Sequence, residues 1–218
     1  MQPAPPPGRQ PGPDGSRHVT TLFSEQHEDR VDGPDRLPPG QRLTEQWPVL
    51  TYGATPRVEL RDWSLRVWGE VEREAEWNWE QFRALGTEER TNDIHCVTHW
   101  SRFDNTWEGV LIATILEHVR PTPRAAAVMF HSYGGYTTNV SLDDLAQDDH
   151  AMIAFSHDGE PIPAVHGGPL RGVVPSLYFW KSAKWVHGME ILPMDRPGFW
   201  EMYGYHLRGD PWAEERYS

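Results

Sequence analysis

Apolar and polar residues alternate over positions 63–68 (WSLRVW), a period of two that predicts a half-buried strand ending at Gly69. Residues 78–85 instead carry their apolar positions at helical spacing and stop at Gly86, a residue suited to the position just past a helix. Residues 94–98 predict a strand running into a loop, and 110–119 a mostly buried helix closed before Pro121. Two further strands, 125–130 and 136–140, are expected to join across Tyr133, Gly134 and Gly135. Ser141 with Asp144 three positions on has the form of a helix N-cap, and Asp158-Gly159 between 151–155 and 161–162 is a hairpin signal. Strands at 170–174 and 183–192 complete a strand-rich α+β pattern of mixed sheets and short helices, without an internal repeat.

Residues 1–37 are rich in Pro and Gly and read as a disordered or draped tail, which leaves 38–218 as one domain. A net charge of −12 argues against nucleic acid or an anionic membrane as partner. No apolar run is long enough to span a bilayer, so no membrane insertion is expected. The first residues show neither an apolar signal core nor paired arginines, and a cytoplasmic location is the expectation. A single cysteine excludes an internal disulfide. Eleven tryptophans imply aromatic walls as well as core filling, and the only two lysines, Lys181 and Lys184, fall in one segment.

Cys96 sits at the end of a predicted strand within residues 93–101 (DIHCVTHWS), and a thiolate is a ligand for soft or sulfur-loving metals. Three other readings are open from this segment alone. They are a buried structural cysteine, a zinc site on His95, Cys96 and His99, and a Cys-His nucleophile. Strand alternation places His95 and Cys96 on opposite faces, which disfavours zinc. Downstream, Gly167 and Gly168 would let the backbone approach a ligand, Arg171 can grip an anion with its fork, and Lys181, Ser182 and Lys184 add charge and a hydroxyl. This segment reads as a phosphate clamp or, more plainly, as a hairpin with solvated lysines.

Together the two segments resemble the molybdopterin-binding domain of the sulfite oxidase family, which sulfite oxidases share with the periplasmic methionine sulfoxide reductases. The resemblance extends over about residues 38–192 and lies in the ordered combination of motifs. It implies a molybdenum–molybdopterin cofactor, with Cys96 as metal ligand and Thr98 and His99 beside the reacting centre. It also implies pterin or phosphate contacts from Ser132, His166, Arg171, Lys181, Ser182 and Lys184, with Thr51 and Tyr52 as upstream contacts. His95 and Trp107 are further candidates for orienting substrate, and Asp104 for relaying a proton. The implied activity is two-electron oxygen-atom transfer on a small, sulfur-containing substrate, with electrons exchanged with a separate carrier. His99 and Trp100 stand where sulfite oxidases carry an arginine-rich sequence, which counts against sulfite itself. The rival readings are a non-catalytic scaffold on the same fold and the zinc hydrolase on His95, Cys96 and His99.

Overall fold

The computed structural model describes residues 36–218. Of the expected tail, only Arg36 and Leu37 fall within them, and residues 1–35 lie outside. Arg36 donates to both carboxylate oxygens of Asp93 (2.9 and 2.6 Å) and to Asp104 (2.7 Å), so it packs with the domain.

One sheet contains β1 (Arg42–Leu43), β4 (Glu88–Cys96), β5 (Trp100–Leu111), β8 (Met152–His157), β9 (Glu160–Pro161) and β10 (Arg171–Val173). Its pairings are antiparallel apart from β1 with β5. The other sheet runs in the order β3 (Ala75–Asn78), β2 (Ser64–Gly69), β11 (Val186–Leu192), β6 (Ala127–Ser132), β7 (Thr137–Ser141), and only β2 with β11 is parallel. Four short helices complete the described residues: α1 (Trp79–Arg83), α2 (Ile112–Val119), α3 (Leu142–Gln147) and α4 (Phe199–Met202). This is the expected α+β fold with mixed sheets.

Local chemistry accounts for most of these boundaries. Asn78 and Gln81 form a reciprocal capping box at α1, which turns Phe82 into the core. Ser141 accepts from Asp144 N to start α3. Asp158 and Gly159 take positive φ values of 50° and 81° and close the β8–β9 hairpin. Two expectations need correction. The helix foreseen from 110 begins at Ile112, because Val110 and Leu111 pair with Ile153 and Met152 and so complete β5. The loop foreseen after 98 is instead the strand β5. Its alternation is broken at Asp104, where φ is 55°, beside a register shift between Asn92 and Ile94.

The larger core gathers Leu65 and Val67 of β2, Ile115 and Val119 of α2, Phe130 of β6 and Met189 of β11. A second apolar cluster, with Ile94, Trp107, Met152, Val173 and Tyr178, packs around Cys96. Fully burying one such side chain is worth about 1.5–3 kcal/mol, so the cysteine rests on a stiff floor. No helix among the described residues is long and apolar enough to cross a membrane.

Candidate active site

Cys96 is the last residue of β4 and is 6% exposed. A tight turn follows: His99 N donates to Cys96 O, and His99 takes a left-handed φ of 67°. Gln41 Nε2 donates to Cys96 O at 3.0 Å, and Arg216 Nη1 donates to Val97 O at 2.8 Å, which fixes the loop from two distant segments. Thr98 Oγ1 lies 3.2 Å from Cys96 Sγ. Burial pushes the thiol pKa up, opposed by the Thr98 hydroxyl and by Arg216. A buried neutral thiol of this kind ionises when a metal takes the place of its proton.

The basic segment is built on close backbone approach. Gly167 has φ +109°, and a Cβ on it would come within 2.9 Å of Lys184 Cβ; one on Gly168 would meet Ile162 O at 1.9 Å. Arg171 is 1% exposed and donates to His166 O (2.6 Å), Ser182 O (2.8 Å) and Gly172 O (3.2 Å). Its guanidinium also lies 4.2 Å from the Phe179 ring centre and 5.5 Å from that of Trp47. Lys184 Nζ donates to Leu50 O, Thr51 Oγ1 and Val165 O at 2.8–2.9 Å. Neither cation is paired with a carboxylate of the described residues. Desolvation brings the Arg171 pKa down to about 9 and that of Lys184 to about 7, with mutual repulsion adding at the lysine.

A cavity of about 530 Å³ joins these two regions. Cys96, Thr98, Arg171, Ser182 and Lys184 all line it, within the size range of small-molecule sites. Thr51 and Tyr52 line it as well. His166 stands behind Trp47, stacked at 3.9 Å and 18°, and Trp47 forms part of the wall. The buried His166 Nδ1 and Ser132 Oγ have no hydrogen-bond partner, and Ser132 opens the turn whose Gly134 and Gly135 line the cavity. Ser132 and His166 themselves do not line the cavity, but a soft thiol, two acid-free cations and aromatic walls around one slot fit a flat, anionic, metal-bearing group.

Not every expected residue meets there. Lys181 is fully buried away from the cavity wall, and unlike Lys184 its charge is neutralised by a carboxylate, Glu201 Oε1 at 2.7 Å, with Asn139 O, Asn139 Oδ1 and Leu207 O as further acceptors. A phosphate contact for it is therefore ruled out by placement. His99 is exposed and bonded to Gly40 O, away from the cavity wall. His95 pairs with Ser101 Oγ at 2.8 Å, and its pKa is lowered to about 4 by burial. Trp107 Nε1 donates to Asn92 Oδ1, and Asp104 is held by Arg36. His95, Cys96 and His99 thus diverge, and among the described residues no group of three or more His, Cys, Asp or Glu side chains is arranged to hold a metal. The zinc reading falls with that.

Sequence reasoning expected aromatic walls but did not identify the residues that form them: Trp47, Tyr136, Phe179 and, further along the chain, Phe199, Trp200 and Tyr205. The surplus of tryptophan was the only signal for them.

The oxidoreductase molybdopterin binding domain matches residues 52–200. The chain belongs to this family. It is an enzyme, a molybdopterin-binding oxidoreductase whose cofactor is molybdenum–molybdopterin. It is 45% identical over 188 residues to the uncharacterized oxidoreductase YuiH of Bacillus subtilis, an alignment covering 86% of this chain and 94% of that one. With the protein-methionine-sulfoxide reductase catalytic subunit MsrP of Gluconobacter oxydans it shares 28% identity over 172 residues, 68% of this chain and 54% of that one. The molybdopterin-binding oxidoreductase therefore spans only about half the length of that relative. The sulfane dehydrogenase SoxCD of Paracoccus pantotrophus has the same fold, with a TM-score of 0.58 at 18% identity, over 64% of this chain and 40% of that one.

Proposed function

We propose that Cys96 ligates the molybdenum and that the enzyme moves an oxygen atom to or from a small, neutral, sulfur-containing substrate. The carrying observation is the single cavity that joins a buried thiol to two cations lacking acidic partners. When bound, the cofactor supplies the two-electron redox couple for that transfer. Arg171 and Lys184 hold its anionic part, with Ser182 alongside, and Trp47, fixed by its stack on His166, covers the flat portion. Thr98 sets the orientation of the sulfur through their 3.2 Å contact. Phe199, Trp200 and Tyr205 wall the cavity and exclude water from the reacting centre.

Neutrality of the substrate is supported by the residues that follow Cys96 along the cavity, Val97, Thr98 and Trp100, none of which carries charge. The MsrP relative points to a sulfoxide. Several relatives are named as subunits, which supports a separate protein as electron carrier.

The test uses protein produced with cofactor synthesis active. Wild type should contain about one molybdenum per chain and reduce a methyl sulfoxide with a reduced viologen dye. Cys96→Ser should keep much of its pterin and lose activity. Full activity in that variant would remove the ligand assignment, and reduction by dye with no cellular donor found would count against the carrier.

A further inference from the structure

Lys181 and Glu201 form an ion pair at 2.7 Å with side chains 0% and 1% exposed. Nothing in the cofactor clamp touches it, and two buried charges cost more to desolvate than most packing needs. Its connections lead elsewhere. Glu201 Oε1 also accepts from Trp180 Nε1 (2.9 Å) and Thr138 Oγ1 (3.3 Å), while Lys181 Nζ binds Asn139 and Leu207 O. Trp180 O accepts in turn from Tyr136 OH at 2.6 Å. Glu201 lies in α4, whose Phe199 and Trp200 line the cavity, and Leu207 follows Tyr205, which lines it too. Four residues are too few for a helix to hold its own position. Tertiary anchors must therefore set where α4 stands, and this pair is the most strongly bonded of them.

We propose that the Lys181–Glu201 pair is a positioning device that sets the aromatic wall of the substrate side, and through it the fit and handedness of the sulfoxide admitted. This rests on the sulfoxide reading above. The pair does not contact substrate. It fixes α4 and the Trp180 segment relative to β7, so that Trp180, Trp200 and Tyr205 present one surface.

The experiment compares the loaded wild-type enzyme with Lys181→Met/Glu201→Gln, which removes both charges at nearly constant volume and leaves no unpaired ion. The variant is expected to retain molybdenum and pterin, since Arg171, Ser182 and Lys184 are bonded independently. Its KM for a chiral aryl methyl sulfoxide should rise about 10-fold with kcat within about 3-fold, as lost uniform binding requires. Preference between the two enantiomers should collapse, and acrylamide quenching of tryptophan fluorescence should increase about twofold. A folded double variant with wild-type KM, enantiomer preference and quenching overturns the proposal. Should that variant not fold, Lys181→Gln/Glu201→Gln, which also leaves no buried ion but keeps polar groups beside Asn139 and Trp180, carries the same test with the same outcomes. If wild type reduces no sulfoxide, the substrate reading fails by itself, and the quenching comparison still decides whether the pair sets the wall.

Discussion

Arg171→Met should affect the cofactor-free and the loaded enzyme differently, and the size of that difference follows from the contacts. Burial holds the guanidinium at about 9. Against the usual value above 12, the fold carries roughly 5 kcal/mol to keep it charged at neutral pH. Removing the charge releases that cost but also forfeits three hydrogen bonds from a charged donor to His166, Ser182 and Gly172, at about 1.5–3 kcal/mol each. It also loses contacts to the Phe179, Trp47 and Trp107 rings, at about 0.5–1 kcal/mol each. These losses come to about 6–12 kcal/mol, more than the cost released, so the cofactor-free variant should melt at least about 2 °C below wild type. The loaded variant lacks in addition a charge-assisted bond to the bound anion, about 1.5–3 kcal/mol. Cofactor retention should then fall about 10- to 150-fold. Differential scanning calorimetry on both forms, with molybdenum measured per chain, reads the two numbers separately. An equal drop in melting temperature in both forms would show that Arg171 is ordinary packing and refute the anion clamp.

Three further outcomes follow from the same geometry. Lys184 titrates at about 7, so sulfate, whose charge is constant, should bind the cofactor-free enzyme more tightly at pH 6 than at pH 8, and Lys184→Met should abolish that difference in a calorimetric titration. His95, His157 and His166 are each lowered to about 4, chiefly by desolvation, from 6.5. The unfolded chain therefore binds more protons between those values, so stability to urea should fall as pH drops from about 6.5 towards 4. A midpoint that stays level between pH 7 and 5 would contradict it. Gly168→Ala would force a Cβ to 1.9 Å from Ile162 O, a backbone atom. A loss of more than about 3 kcal/mol, with cofactor content reduced, is expected from thermal melts and metal analysis.

How much of this could be read from the sequence depended on how local the cause was. Capping at Asn78 and Ser141 and the Asp158-Gly159 turn are settled by neighbouring residues, and those elements stand where expected. Cys96, Arg171 and Lys184 were legible as candidates because thiol and cation chemistry shows in the residue type. The placement of Lys181 was not, because its neutralising partner Glu201 is brought in by tertiary packing. Residue type shows a charge but not its counter-ion. β5 was lost for a related reason: its mid-strand polar residues face Asp93, Asp158 and His157 across the sheet, and period-two alternation fails at Asp104. The aromatic wall at 199–205 has no motif, since its register comes from contacts with residues 52, 136 and 180.

Arg216 reaches across 119 positions to Val97 O and extends its other nitrogen to Pro39 O, with its guanidinium over the Tyr178 ring. Arg216 is thus a splint for the sulfur's turn. A substitution at Arg216 bears on the Cys96 loop as directly as one beside the cysteine does. The turn that carries the thiol is therefore braced only once a residue more than a hundred positions downstream has folded back onto it.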